Sequence, residues 1–192
     1  LQVDLRDTDS VSAAVKKVHA YAGEQPEMEW ITGRGWNQEQ WQQKVFPSAA
    51  HLDEVVNDRP VWLMRVDAHA GWANSEALRR AGIDKDTVAP EGGEIVRDEQ
   101  GNPTGVLVDN AMQLVEDIIP EPSLQQQRAA YELAFEHLIK LGITSVHDAG
   151  INADEISVYK GLHNQGHMPL RVYGATFGRR SIRKCRPETD HS

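Results

Sequence analysis

Apolar residues recur at helical spacing near the start of the chain. Behind the polar stretch that ends at Ser10, they repeat every three or four positions and would share one helix face: Val11, Ala14, Val15, Val18 and Tyr21. This pattern predicts a helix over residues 10–22, which Gly23 ends. The next apolar run, residues 30–36, is typical of a strand that leads into a glycine turn.

The most unusual chemistry lies between a short apolar run and the helix predicted after it. Residues 61–66 are β-branched at both ends, which is typical of a buried strand, and residues 75–81 predict a helix capped by Asn74 or Ser75. The turn expected between them carries an acid, an imidazole, an indole and an amide: Asp67, His69, Trp72 and Asn74. Rigid elements on both sides suit such a turn to a small-molecule site. The alternative is a capped turn with a core tryptophan.

A hairpin is predicted in the middle of the chain. Residues 92–97 and 104–108 are two β-rich runs around a Gly-Asn-Pro turn. Residues 109–118 then predict a short helix, which Pro120 stops. Asp109 is interpreted either as an acid at the start of this helix or as a carboxylate of a functional site.

The last third of the chain has the pattern of a strand, helix, strand unit. Ser123 and Gln126 form a capping box, and the helix behind it is expected to bury one face: Ala130, Leu133, Ala134, Leu138 and Leu141. A strand over 143–147, a helix over 154–165 and a strand over 170–175 follow. The two strands should be parallel and covered on both faces. His147 and Asp148 would lie at a carboxyl strand end, where α/β proteins place their sites.

Composition excludes several classes of function. The net charge of −9 opposes nucleic acid or an anionic membrane as a partner, and no apolar run reaches the length of about 18 residues that a spanning helix needs. The single cysteine, Cys185, allows neither an intrachain disulfide nor a cysteine metal cluster. Residues 178–192 are rich in basic side chains and are expected to be a disordered tail. The start at Leu1 without Met fits a removed signal or a longer protein.

Motif searches leave few chemical classes open. The chain contains no Gly-x-Ser-x-Gly elbow, phosphate loop or His-Glu-x-x-His helix. His163 and His167 have the spacing of a helical metal pair, but Gly166 between them ends the helix, which favours a structural interpretation. His147 is the better candidate, because a histidine followed by an acid has little structural reason to stand at the end of a strand.

Five motifs in order resemble amidohydrolase family 3, the metal-dependent hydrolases similar to N-substituted formamide deformylase. They are residues 30–38, 59–78, 90–94, 101–107 and 142–150, and the resemblance covers residues 1–177. Two positions depart from it: Ala68 stands where relatives commonly have glycine, and Asn57 where they commonly have proline. These departures put the geometry of the turn near His69 in question.

The resemblance implies an α/β fold that is part of a (β/α)8 barrel, with a long insertion after the first barrel strand. Residues 1–122 would be this insertion, residues 123–177 a βαβ portion with barrel strands 2 and 3, and residues 178–192 the tail. The barrel lysine, histidines and aspartate that bind metal in the family cannot be matched here. We therefore expect a fragment that is inactive alone, whose unpaired strand edges favour homo-oligomers.

The activity implied by the resemblance is hydrolysis of a non-peptide, amide-like C–N bond in a small molecule. A divalent metal, zinc by expectation, would activate the attacking water. His147 and Asp109 are the expected catalytic residues, and the expected substrate-binding residues are His69, Trp72 and Asn74. No residue of this chain is assigned as a metal ligand. The alternative is a noncatalytic binding module descended from such an enzyme. A cytoplasmic location is favoured over a periplasmic one.

Overall fold

A computed structural model describes residues 2–175 and divides the chain into two compact units. The first unit ends at Pro120 and the second begins at Glu121. The tail predicted over 178–192 lies outside the described residues. Within those residues, no helix has both the length and the apolar character needed to cross a membrane.

A six-stranded mixed sheet forms the centre of the first unit. Its spatial order is β1, β2, β3, β4, β6, β5, and the strands are β1 (Val3–Asp4), β2 (Ile31–Trp36), β3 (Val61–Arg65), β4 (Ala70–Ala73), β5 (Gly93–Arg97) and β6 (Pro103–Asp109). Strands β1, β2 and β3 are parallel to each other. Strand β4 is antiparallel to both β3 and β6, and β5 is antiparallel to β6. The predicted hairpin is therefore confirmed as β5 and β6.

Short helices flank this sheet. They are α1 (Val11–Glu24), α2 (Ala49–Asp53), α3 (Ser75–Arg80) and α4 (Gln113–Glu116), with 3₁₀ turns at Gln38–Gln40 and Asn110–Met112. The first predicted helix is confirmed: the Ser10 side chain accepts a hydrogen bond from Ala13 N, and Val18 is fully buried. Helix α1 continues through Gly23 to Glu24, so its predicted end was wrong by two residues.

The sheet buries apolar side chains on both of its faces. Leu5, Ile31 and Leu63 pack with α1 in one cluster, and Trp62, Leu78 and Leu107 belong to the other. A group of indoles stabilises the first cluster, where the Trp36 ring lies 6.0 Å from that of Trp41 and 6.2 Å from that of Trp72. Burial of this kind contributes roughly 25 cal/mol per Å² of apolar surface and accounts for most of the stability of such a unit.

The long turn predicted between residues 66 and 75 is wrong, because it contains strand β4. All of Ala70–Ala73 is buried between β3 and β6, although alanine and glycine favour strands little. Gly71 is required there: a Cβ at this position would overlap the Trp62 ring. The predicted helix over 109–118 is also corrected, since β6 extends to Asp109 and only a 3₁₀ turn and one helical turn follow.

The second unit contains α5 (Leu124–Lys140), β7 (Ser145–Asp148), α6 (Ala153–Asn164) and β8 (Arg171–Gly174). The capping box of Ser123 and Gln126 is confirmed, and β7 and β8 are parallel with α6 between them. The α/β class is thus confirmed. The barrel to which we assign these strands stays a prediction.

Two burial predictions for the second unit were wrong. The buried residue of α5 is Phe135, whereas Leu133 is 56% and Leu141 63% exposed. Strand β7 is half-buried or exposed along its length and is not covered on both faces. The physical reason is the size of the sheet, because the described residues supply only two strands and two helices to bury it.

Candidate functional site

Four strands of the first unit end at the same edge of the sheet. Strands β3 and β6 are both antiparallel to β4 and therefore run in the same direction, which β1 and β2 share. Their carboxyl ends consequently meet at one edge. Polar side chains collect there: Arg65, Asp67, His69 and Asp109. Sites in open α/β sheets lie at such edges.

The turn from β3 to β4 is held by an ion pair. Arg65 donates to both oxygens of Asp67, from Nε at 2.8 Å and from Nη2 at 2.7 Å. This bidentate contact is the main cause that lowers the pKa of the Asp67 carboxyl. Asp67 Oδ1 also accepts a hydrogen bond from His69 N at 3.1 Å. The guanidinium of Arg65 lies 5.9 Å from the centroid of the Phe46 ring. The turn that carries His69 is therefore held by the contacts of Arg65 and Asp67.

His69 and Asp109 are paired directly. Their atoms Nδ1 and Oδ1 are 2.7 Å apart, and the backbone N–H of Asp109 donates to His69 O at 3.1 Å. The two side chains remain accessible, at 69% and 48% exposed. The pair thus combines a carboxylate and an imidazole in the geometry that orients a histidine for proton transfer or hydrogen bonding.

The backbone around this pair is strained. Ala68 has φ 62° and Asp109 has φ 47°, and among residues 2–175 no other non-glycine residue has a positive φ. With ψ −124°, Asp109 lies in a region that glycine occupies far more easily than residues with a Cβ. Strained residues of this kind are frequent at functional sites.

Trp72 and Asn74 are fully buried, Trp72 within the sheet and Asn74 at the opposite edge, beside the start of β3. The Trp72 indole N–H donates to Ser48 O at 2.9 Å. The Asn74 side-chain oxygen accepts from Val61 N and Ala77 N, both at 2.9 Å, so Asn74 is the cap of α3. Their substrate-binding role stays a prediction. Because both side chains are buried, this role would be to shape the site without contacting a ligand.

His147 belongs to the second unit. It lies at the carboxyl end of β7, is exposed, and stacks on Tyr173 at 5.1 Å between ring centroids. The neighbouring Asp148 accepts a 2.9 Å hydrogen bond from the hydroxyl of Tyr159. Burial, with the Asp148 contact second, raises the pKa of Tyr159. The structure brings His69 and Asp109 together, whereas the catalytic role of His147 remains a prediction for a separate unit.

A cavity of about 550 Å³ also lies in the second unit, along α6 and β8. Its lining is largely apolar and includes Tyr159, Leu170 and Val172. His163 contributes to the lining, whereas His167 pairs instead with Glu132, its Nδ1 lying 2.9 Å from Oε1. The two histidines therefore have different surroundings, as the structural interpretation of their spacing expects.

The described residues do not fit the divalent metal that the resemblance implies. Within residues 2–175, no three His, Cys, Asp or Glu side chains come together in a way that could hold an ion. The Nδ1 atom of His69 is engaged by Asp109 and is not available as a ligand in this arrangement.

Sequence reasoning missed Arg65 and the direct contact between His69 and Asp109. The contact depends on strand register: Ala70 is opposite Val108 in the β4 and β6 pair, so the residues just beyond them meet at the edge. The sequence signal for this contact was a pair of short apolar runs: residues 70–73, which His69 precedes, and residues 106–108, which Asp109 follows.

Comparison with known proteins gives one family. A family model described as the amidohydrolase family matches residues 1–189. Protein LONG AFTER FAR-RED 3 of Arabidopsis thaliana is 40% identical over 149 residues, which are 78% of this chain and 25% of that protein. YtcJ of Bacillus subtilis (strain 168) is 32% identical over 90% of this chain and 31% of its own length.

Two further comparisons concern proteins with a stated reaction class. The N-substituted formamide deformylase of Arthrobacter pascens is 32% identical over 77% of this chain and 28% of its own length. The crystal structure of an uncharacterized metal-dependent hydrolase from Pyrococcus horikoshii OT3 matches with a TM-score of 0.63 at 22% identity, over 91% of this chain and 32% of that one, which shows a shared fold. The chain spans less than a third of the length of the three curated relatives.

Proposed function

Because the chain belongs to the amidohydrolase family, we propose that it is part of a hydrolase that cleaves a non-peptide, amide-like C–N bond in a small molecule. One observation carries the proposal beyond the family: the carboxyl edge of the first sheet presents a paired histidine and carboxylate, His69 and Asp109, to solvent. The formamide deformylase relative supports the choice of bond.

The proposed architecture follows the family. Residues 1–122 are an insertion that follows the first strand of a (β/α)8 barrel, and β7 and β8 are barrel strands 2 and 3. The parallel pairing of these two strands around α6 supports that assignment. The divalent metal, for which we favour zinc, is assigned to ligands of the longer protein outside this chain, and the lack of an assembled site within residues 2–175 supports that assignment.

The site residues have distinct proposed roles. His69 and Asp109 act at the carboxyl edge of the first sheet. Trp72 anchors β4 through its contact with Ser48 O, and Asn74 holds the starts of β3 and α3 at the opposite edge. His147 acts from the carboxyl end of β7, where its ring is exposed and stacked on Tyr173. An exposed imidazole at a strand end is accessible to a bound substrate and can donate or accept a proton there.

The proposal is tested on the full-length protein with a panel of N-substituted formamides and acetamides, by following release of the amine. We expect metal-dependent turnover, which His147→Ala reduces by about 100-fold or more. His137→Ala, which changes an exposed histidine of α5, is the matched control and should retain full turnover. Wild-type turnover of every amide by His147→Ala would show that His147 has no catalytic role.

A noncatalytic binding module is the second candidate. Its support is that the Arabidopsis relative, at 40% identity, bears a name that refers to no reaction. The same full-length preparation separates the candidates, because a binding module would bind amides in calorimetry without releasing any amine. Stoichiometric metal in the 192-residue chain would contradict the assignment of the ligands to the rest of the protein.

A further inference from the structure

We propose that His69 recognises the N–H group of the substrate through its Nε2 atom, and that Asp109 is the positioning residue that prepares His69 for this contact. The inference rests on the proposed function and adds to it a substrate class, amides whose nitrogen carries a hydrogen. In this arrangement His69 contacts the substrate and Asp109 orients His69.

The contact with Asp109 sets the tautomer of the His69 imidazole. An ionised carboxylate accepts hydrogen bonds and cannot donate them, so the 2.7 Å contact with Asp109 requires the proton to be on His69 Nδ1. In the neutral ring, Nε2 then carries a lone pair. No residue in the described part of the chain forms a hydrogen bond to Nε2, and the side chain is 69% exposed. Asp109 thus makes the outer nitrogen an acceptor.

Asp109 has a strained backbone conformation. Its φ of 47° and ψ of −124° are far easier for glycine than for aspartate, and the preceding turn contains a second strained residue, Ala68. The conformation places the Asp109 N–H on His69 O and the carboxylate on His69 Nδ1 at the same time. A carboxylate is therefore held at a position where glycine would be less strained. This strained conformation puts the carboxylate in contact with His69.

The charged side chains next to His69 are already paired with each other. Arg65 and Asp67 form a bidentate pair, and Asp67 also accepts from His69 N. Within the described residues, the pair of His69 and Asp109 keeps two acceptors without a partner, Asp109 Oδ2 and His69 Nε2. An acceptor of this kind selects N–H donors, and a fully substituted amide nitrogen cannot satisfy it.

The test compares N-benzylformamide with N-benzyl-N-methylformamide on full-length protein. His69→Gln and Asp109→Asn are expected to lower kcat/KM for the N–H substrate by a factor about tenfold or more larger than the factor by which they lower it for the N-methyl substrate. His19→Gln, an exposed position on α1, is the matched control and should change neither. Equal losses on both substrates, or no loss on the N–H substrate, would overturn the inference while leaving the hydrolase function in place.

A measurement that needs no turnover keeps the two proposals separable. In the imidazole ¹⁵N spectrum of the 192-residue chain, His69 is expected as the Nδ1–H tautomer, and Asp109→Asn should shift the population toward Nε2–H. N-benzylformamide should perturb His69 Nε2, and its N-methyl analogue should not. An Nε2–H tautomer in the wild-type chain would refute the inference, whereas a full-length protein that hydrolyses no amide would refute the proposed function alone.

Asp109→Gly distinguishes positioning from a purely structural role. This substitution removes the carboxylate and the strained conformation together, so we expect a higher midpoint of thermal unfolding and loss of the preference for the N–H substrate. A stabilised variant that keeps the preference would show that Asp109 does not prepare His69.

Discussion

The side-chain oxygen of Asn74 accepts a 2.9 Å hydrogen bond from the backbone N–H of Val61. It also accepts from Ala77 N, and its amide donates to Val56 O and Arg59 O, so a single buried side chain satisfies the starts of β3 and α3. We expect Asn74→Ala to lower the free energy of unfolding by about 3 kcal/mol, because several buried backbone groups lose their partners. Urea denaturation measures this loss.

Asn110→Ala is the control for that prediction. The Asn110 side chain makes one hydrogen bond, to Glu91 O, and is exposed. Its removal should cost less than about 1 kcal/mol. Similar costs for the two variants would contradict the structural role of Asn74.

Ala68→Gly is expected to stabilise the first unit by about 0.5–1 kcal/mol. Ala68 has a φ of 62°, where glycine avoids the contact between Cβ and the backbone that alanine must tolerate. Thermal unfolding of the two proteins measures the change. Ala81→Gly is the matched control, since Ala81 has φ −76° at the end of α3 and gains nothing from glycine. A loss of stability in Ala68→Gly would show that the turn does not require this conformation.

Gly71→Ala should destabilise the first unit by about 1–3 kcal/mol. The Trp62 ring lies directly over Gly71 from the neighbouring strand, so a methyl group there must displace a buried indole. Denaturant unfolding reports the cost, and a change in tryptophan emission reports the displacement. Gly23→Ala, at a helix position with open space around the added methyl, is expected to be neutral or stabilising.

The second unit should lose stability in alkali. Burial, with the Glu155 contact second, raises the pKa of Tyr131 to about 12, and the pKa of Tyr159 is raised as well. Both phenols ionise near pH 10 in the unfolded chain. The Tyr131 contribution is therefore complete below about pH 10 and is lost as the pH rises through about 12, and the raised pKa of Tyr159 acts in the same direction. Tyrosinate absorbance during a pH titration follows the transition, and Tyr131→Phe should weaken its pH dependence. An identical dependence in this variant would refute the assignment.

The 192-residue chain is expected to be inactive toward amides and to associate. Within the described residues, β7 and β8 each have one neighbouring strand, and the exposed large apolar side chains of the second unit include Leu124, Leu133 and Leu141. Sedimentation should show dimers or larger species, and amides of β7 and β8 should exchange faster than those of β2 and β3. Slow exchange across 143–147 and 170–175 in a demonstrated monomer would contradict this expectation.

The sequence alone determined the elements that depend on local signals. The capping residues Ser10 and Ser123 and the apolar spacing behind them predict α1 and α5, because a helix satisfies its hydrogen bonds within a few residues. The hairpin of β5 and β6 and the order of β7, α6 and β8 are also confirmed from turn residues and runs of β-branched side chains.

Only the tertiary structure decided the arrangement of the candidate site. Strand β4 has little intrinsic preference for extended structure and exists because β3 and β6 bond to both of its edges. That pairing sets a register that brings His69 to Asp109 across 40 residues of sequence. Burial of Trp72 and Asn74 follows from the same pairing. Strand register and side-chain burial depend on contacts between distant segments, and local composition does not specify them.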